Sequence, residues 1–309
     1  MLFLFIHFKL FKMLKIFSSI ISLLFVLLVN AQEKSTPDEI IYGQCLISDL
    51  KQASYASWFT TGFDSYVPDQ VAIDQLKKIS YKNVTMEIFF GSWCGDSKRE
   101  VPRLIKVLSS ISFPEKQLKL IGLGGSDSIY KRSPDGEEKG KGIYRVPTFI
   151  IYKNGKELGR INEFPVYTFE RDLLTILSNK VYTPNYASFT LIHQWETEQV
   201  LTHPHTNMWS LAAMLKPFVE NEHLLNSVGN LFVTQGKIKD ALAIYKVNYL
   251  LYPESGIAIA GLGKGFLKSG EVKTSLEYLE YALQVNKKPE NVKEILQMLY
   301  EAKDAERAK

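Results

Sequence analysis

An α/β domain followed by a small all-α helical repeat domain is the fold class this sequence predicts, and three observations predict it. Between residues 84 and 180 the hydrophobic period switches between 2 and 3.6 in the order strand, helix, strand, loop, hairpin, helix. From residue 222 onward the chain resembles itself at a shift of 34 residues. The N-terminus, by contrast, carries an apolar run of the kind removed on export rather than folded.

Lys9, Lys12 and Lys15 precede "IFSSIISLLFVLLV", which ends in Val29-Asn30-Ala31. Small residues at these positions fit a signal-peptidase cut after Ala31, so residues 1–31 read as a signal peptide, with Met13 an equally complete start. The run is short beside the ~20 residues a spanning helix needs. An uncleaved anchor is the alternative, and no Cys follows the cut site to carry a lipid. The expected location is the periplasm or the extracellular space. Export implies an oxidising compartment, where disulfides persist. Yet the 309 residues contain only Cys45 and Cys94, so a disulfide-stapled fold is excluded and each thiol is a candidate for chemistry.

At 309 residues the chain exceeds one ordinary domain. The α/β domain is placed at 36–181, a linker at 182–206 and the helical domain at 207–309. With 46% hydrophobic and 23% charged residues the composition is globular. A net charge of +4 from scattered Lys and Arg gives nucleic-acid binding no support.

The elements follow in order. Residues 38 to 80 hold apolar positions at helical spacing, with Trp58, Phe59 and Phe63 in "SYASWFTTGFDSY". "DQVAIDQLKKI" predicts an amphipathic helix with Val71, Leu76 and Ile79 inward. "VTMEIFFGS" is β-branched and aromatic and predicts a buried strand. Gly95 to Ser110 predicts a helix with Leu104, Ile105 and Leu108 on one face, and "QLKLIGLGG" a second strand ended by glycines. "SDSIYKRSPDGEEKGKG" is polar and glycine-rich, which predicts an exposed loop with one helical turn. "VPTFIIYKNGKELGRI" predicts two strands around an Asn154-Gly155 turn, and "FERDLLTILSNK" a closing helix. "NKVYTPNYASFT" suits a linker.

Laying 222–255 on 256–289 puts Gly229 on Gly263, Phe232 on Phe266 and Gly236 on Gly270, whereas Ala241 and Tyr245 fall on Ser275 and Leu279. The first unit, "LLNSVGNLFVTQGKIKDALAIYKVNYLLYP", resembles a tetratricopeptide repeat, with small residues where two helices cross and Pro253 ending the second helix. The second unit is a weaker copy. "NVKEILQMLYEAKDAERAK" then reads as a polar-ended capping helix, which a short solenoid requires. A protein partner on this domain is the corresponding expectation.

Three features carry the functional reading. Trp93-Cys94-Gly95-Asp96-Ser97-Lys98 follows the buried strand and opens a helix, Pro102 lies five residues past Ser97, and Arg145-Val146-Pro147-Thr148 opens the hairpin. In these features residues 40 to 180 resemble the thioredoxin superfamily. The resemblance implies a thioredoxin-like fold, thiol–disulfide exchange and cell redox homeostasis, with exported proteins bearing thiols or disulfides as partners and no cofactor. It implies a cysteine at a helix N-terminus, Cys94, facing a cis-proline, Pro147, with Val146, Thr148 and Trp93 contacting the client. Ser97 stands where a second cysteine belongs, and its hydroxyl is placed to donate to the thiolate.

A helix N-terminus favours the negative charge the chemistry needs. Lys98 and Arg99 add positive charge nearby, while Asp96 opposes it as a like charge. Two departures weigh against an ordinary dithiol reductase. No cysteine at 97 is present to release the client, and the aspartate that the family places six residues before the first cysteine is here Ile88. Glu87 is adjacent but points to the opposite face of a strand. Three readings stand. Cys94 is a monothiol nucleophile resolved by an external thiol; or Cys45 resolves it; or the site is redox-inactive and the domain binds polypeptide segments beside Pro147.

Other motifs carry less. His193, His203 and His205 lack carboxylate or thiol partners at metal spacing and read as solvated; no metal site is expected. "GLGKG" at Gly261 to Gly265 lies in a repeat helix with no preceding strand, so helix crossing accounts for it better than phosphate binding. "NVT" at Asn83 matches a glycosylation sequon but abuts a strand.

Overall fold

The computed structural model describes residues 40–308. The signal peptide expected over 1–31, with its lysines and Met13, lies outside the described residues. Five strands form one mixed sheet: β1 (Gly43–Cys45), β2 (Val84–Phe90), β3 (Leu118–Gly122), β4 (Thr148–Lys153) and β5 (Lys156–Asn162). Their spatial order is β1-β3-β2-β4-β5, with β2 and β3 parallel and the remaining neighbours antiparallel. Three residues of β1 were not expected: "GQC" is too short to display a period. It pairs with β3 at the sheet edge, Cys45 opposite Leu120.

Alternation along β2 divides the sheet into two faces. Val84, Met86, Ile88 and Phe90 point to one side, where Leu120, Phe149, Ile151 and Ile161 join them. That side is covered by α2 (Ala53–Ser65), α4 (Gly95–Ser110) and α5 (Phe169–Leu177), the preceding short helices being α1 (Ile47–Leu50) and α3 (Gln70–Leu76). Leu104, Ile105 and Leu108 of α4 all lie in this core. Phe89, Ile121 and Ile150 point to the other side, into a smaller cluster with Leu123, Ile143 and Val146. The β4–β5 turn is the tight hairpin expected, with φ +53° at Asn154 and +77° at Gly155. That backbone favours Asn-Gly and matches the strand twist.

Three local expectations need correction. In α3 the inward residues are Ala72, Ile73 and Leu76, and Val71 is 69% exposed. Asp69 caps the helix by accepting from the Val71 and Ala72 amides, which fixes its start and turns Val71 outward. Ile79 lies beyond the helix and is half-buried. The polar stretch 126–142 has its one 3-10 turn at Asp127–Ile129 but is not simply exposed: Lys131, Ser133 and Glu138 are buried. Finally, the stretch read as a linker contains α6 (Ser188–Thr197), whose Phe189, Ile192 and Trp195 are buried.

The remaining helices are α7 (Met208–Leu215), α8 (Glu222–Thr234), α9 (Ile238–Leu251), α10 (Gly256–Lys268), α11 (Val272–Val285) and α12 (Val292–Arg307). The bounds of α10 and α11 are those of α8 and α9 moved by 34 residues. Tyr245 and Leu279 are equivalent and fully buried, each against its repeat's glycine. A Cβ on Gly229 would come within 2.4 Å of Tyr245, and one on Gly263 within 2.8 Å of Leu279. The unlike pair therefore performs one packing task.

Sheet and helices share a core through Tyr144. Its ring packs on Phe189 and Phe232, and its hydroxyl donates to Glu196 at 2.7 Å. Lys237 binds the same carboxylate. None of the described helices is long and apolar enough to cross a membrane.

Candidate functional site

β2 ends at Phe90, and after four intervening residues the chain enters α4 at Gly95. Cys94 is the N-cap of that helix, with extended backbone at φ −92° and ψ 126°. Its N–H donates to the Gly91 carbonyl at 2.9 Å and its carbonyl accepts from Lys98 N at 3.0 Å, so both backbone groups are tied to the turn. The side chain is partly exposed. The thiol donates to the Val146 carbonyl, with Sγ 3.4 Å from the oxygen. The Val146–Pro147 peptide bond is cis. The helix terminus that carries the sulfur and the proline loop are thus brought together from two segments 52 residues apart.

The neighbours of Cys94 have distinct tasks. Ser97 is fully buried, and its Oγ accepts the Gly91 N–H at 3.1 Å. That bond braces the turn carrying Cys94; among the described residues no hydrogen bond joins Ser97 to the sulfur. Asp96 pairs with Arg99 at 2.8 Å on the exposed side of α4, which offsets its repulsion of a thiolate. Lys98 is half-buried on the same first turn. Trp93 Nε1 donates to the Leu123 carbonyl at 2.9 Å. Its indole lies so close to Gly91 and Gly125 that a Cβ on either would approach within 2.7 Å. Val146 is buried in the smaller cluster, and Thr148 is fully buried with Oγ1 donating to the Arg145 carbonyl at 2.7 Å. Their side chains hold the proline loop instead of lining an open surface.

Cys45 belongs to the opposite face. It packs against the main core, whereas Cys94 packs against the smaller cluster. Burial, reinforced by the Asp49 charge, pushes its thiol up to about 12. Ile88 is also fully buried in the main core. Glu87 points the other way, bonding to Lys141 and accepting from the Tyr152 hydroxyl at 3.0 Å.

Tyr130, Lys131, Glu163 and Tyr186 around the site were not singled out from sequence, and Arg145 was named only as the first residue of the proline loop. Tyr130 packs on Trp93 with ring centroids 5.5 Å apart. Burial raises its phenol, with a further rise from the Cys94 charge and an opposing pull from Arg145. Lys131 is buried, and its Nζ donates to the Tyr144 carbonyl at 2.7 Å. Arg145 stacks on Tyr186 at 5.5 Å, and the Tyr186 hydroxyl donates to Glu163. The Glu163 amide in turn donates to the Pro147 carbonyl at 2.7 Å. Lys131 sits in a stretch whose glycines and charges read as solvated; Tyr186 sits in the apparent linker. Only the tertiary fold brings them to Cys94.

His203 and His205 are exposed, with rings 5.6 Å apart, but His193 is half-buried, its Nδ1 4.0 Å from Glu196, contrary to the solvated reading. Among the described residues no group of three or more His, Cys, Asp or Glu is placed to hold a metal. Gly261 to Gly265 lie inside α10, where Gly261 abuts Asn226 and Gly265 abuts Leu242. Compared with protein-family models, with curated proteins and with solved structures, the chain matches none.

Proposed function

We propose that residues 40–180 form a thioredoxin-like domain of an exported protein, in which Cys94 is the sole nucleophile in thiol–disulfide exchange with other exported proteins. One observation carries this reading: the Cys94 sulfur stands at the N-terminus of α4, partly open to solvent, 3.4 Å from the carbonyl that precedes Pro147. A thiolate there faces the free amides of the helix's first turn, which favour negative charge.

The chemistry balances in two exchanges. The Cys94 thiolate attacks one sulfur of a client disulfide; a Cys94–client disulfide forms, the client bond breaks, and the second client sulfur leaves as a thiolate. An external thiol, deprotonated, then attacks the mixed disulfide and takes over the client bond, returning Cys94 as a thiolate. An internal resolving step has no candidate, because Ser97 carries no sulfur and Cys45 packs on the other face of the sheet.

The second reading, a redox-inactive module that binds polypeptides, has its own support. A cleft of about 740 Å³ lies beside the proline loop, lined by Arg145, Tyr186, Phe218 and His223 among others. It is open where Val146 and Thr148 are not. Diagonal non-reducing gels of wild type and Cys94→Ser separate the two. The nucleophile reading expects wild-type adducts with clients that vanish in Cys94→Ser, and that Ser97→Cys discharges by supplying a resolving thiol. Identical patterns in wild type and Cys94→Ser would leave the binding module as the function.

A further inference from the structure

Arg145 stands beside the exchange site with no anion to answer it. Its carbonyl accepts from the Thr148 hydroxyl, and the next residue, Val146, offers the carbonyl that accepts the Cys94 thiol. The guanidinium lies over the Tyr186 ring, 5.5 Å from its centroid, and its Nε is buried with no hydrogen-bond partner. Among the described residues no carboxylate lies within ion-pair distance of it. Glu163 already accepts from the Tyr186 hydroxyl. A ring face answers a cation only in part, and the guanidinium fork of five N–H donors matches a carboxylate.

The platform under Arg145 is held in place. Tyr186 has φ +58°, a left-handed backbone that a bulky residue adopts only under constraint. Its ring stacks on Phe189 at 5.1 Å and meets Phe164 edge-on at 6.3 Å. Asn185, one residue earlier, is tied twice: its Nδ2 donates to the Phe164 carbonyl at 2.9 Å, and its carbonyl accepts from Asn162 Nδ2 at 3.0 Å. Arg145 and Tyr186 open onto the cleft of about 740 Å³, which the segment leading into α8 also lines. Phe218 gives that segment an exposed apolar surface, and Asn221 caps α8 through the His223 amide, so the positive end of the helix borders the cleft. Glu220 is the one acid in the lining, and it is exposed, where solvent and salt weaken its field.

We propose that this cleft selects the client: Arg145 binds a carboxylate that the client carries beside the cysteine that meets Cys94. The proposal rests on the exchange reading and deepens it, naming acidic segments around a cysteine as the substrate class. An extended client advances about 3.3 Å per residue, which places the carboxylate within about three residues of its cysteine. An Asp or Glu side chain and a free chain end present the same group.

The test uses pyridyl-disulfide peptides with one cysteine and one Asp or Asn, stepped along the residues on either side. The Cys94 thiolate attacks the peptide sulfur, the peptide–Cys94 disulfide forms, and thiopyridone leaves and is read by absorbance. In the Cys45→Ala protein the best-placed Asp peptide should react about tenfold faster than its Asn twin, the scale of one hydrogen bond to a charged group. Both twins meet the same sulfur, so the ratio does not depend on how reactive Cys94 is. Arg145→Met should bring the ratio to about one and Arg145→Lys should keep part of it, with melting curves reporting that each variant folds. Peptides without Asp, with free or amidated C-termini, separate the chain end from the side chain. A second arm measures binding of fluorescent peptides, with serine in place of cysteine, to Cys94→Ser, where no exchange takes place. The same preference, and its loss on adding Arg145→Met, is expected there. Preference in this arm without adducts in the first would sink the exchange reading and leave the carboxylate site standing. Equal behaviour of every Asp and Asn pair and of free and amidated ends, or a preference that survives in folded Arg145→Met, would overturn the proposal.

Discussion

One face of the sheet buries Met86, Ile88, Phe90, Leu120, Phe149 and Ile161 under α2, α4 and α5; the other buries six apolar residues and then gives way to charge. β2 displays both, with Ile88 on the first side and Glu87 on the second. The cysteines divide in the same way. Cys45 sits among apolar side chains with a thiol pushed up to about 12, and Cys94 sits at a helix terminus near Lys131 and Tyr130. The first face thus carries the larger apolar core of the sheet, whereas the second places a buried lysine and a half-exposed thiol beside a smaller one.

The largest effect should come from the first face. Phe149 is fully buried and packs edge-on against Phe169 at 5.2 Å. Phe149→Ala should cost about 3–5 kcal/mol in denaturant unfolding, with Cys94 alkylation in the still-folded protein unchanged. A loss of alkylation at a low, still-native denaturant concentration would couple the two faces and break the comparison.

A smaller effect belongs to Lys131, whose folded-state value of about 8 is depressed below its ordinary 10.5. Below about 8 the lysine is charged in both states, and the cost of burying that charge is fully present. As pH rises from 8 to 10.5 the folded lysine gives up its proton while the unfolded one keeps it, so stability rises with pH. The gain is on the order of 3 kcal/mol. Chemical denaturation at pH 8 and pH 10.5 should show it in wild type and not in Lys131→Met. A rise of equal size in the variant would place its origin elsewhere.

The smallest effect tests the silent cysteine. Cys45→Ala should cost about 1 kcal/mol, the loss of one small packed side chain. Adduct formation at Cys94 should remain as in wild type. A variant that accumulates more adduct would mean that Cys45 resolves it.

Local rules wrote much of the first face plainly. Alternation placed β2, the 3.6 period placed Leu104, Ile105 and Leu108, and Asn154-Gly155 fixed the hairpin. The second face was legible at Cys94, at the residues beside it in the chain and at the Pro147 loop that meets its sulfur. Lys131 reads as a loop charge because its burial depends on the proline loop closing over it. Tyr186 reads as linker because its partners, Glu163 and Arg145, are 23 and 41 residues away. In α3, the capping oxygen of Asp69 decided the phase that apolar spacing left open. Long-range polar contacts leave no period in a sequence.

Which thiol reacts in the native state decides most directly whether Cys94 is the sole nucleophile. The folded protein treated with 5,5′-dithiobis(2-nitrobenzoate) should release one equivalent of thionitrobenzoate, and peptide mass spectrometry should place the label on Cys94, with Cys45 reacting only after denaturation. Fast labelling of Cys45 in the native state, or a second equivalent released as a Cys45–Cys94 disulfide forms, would contradict it.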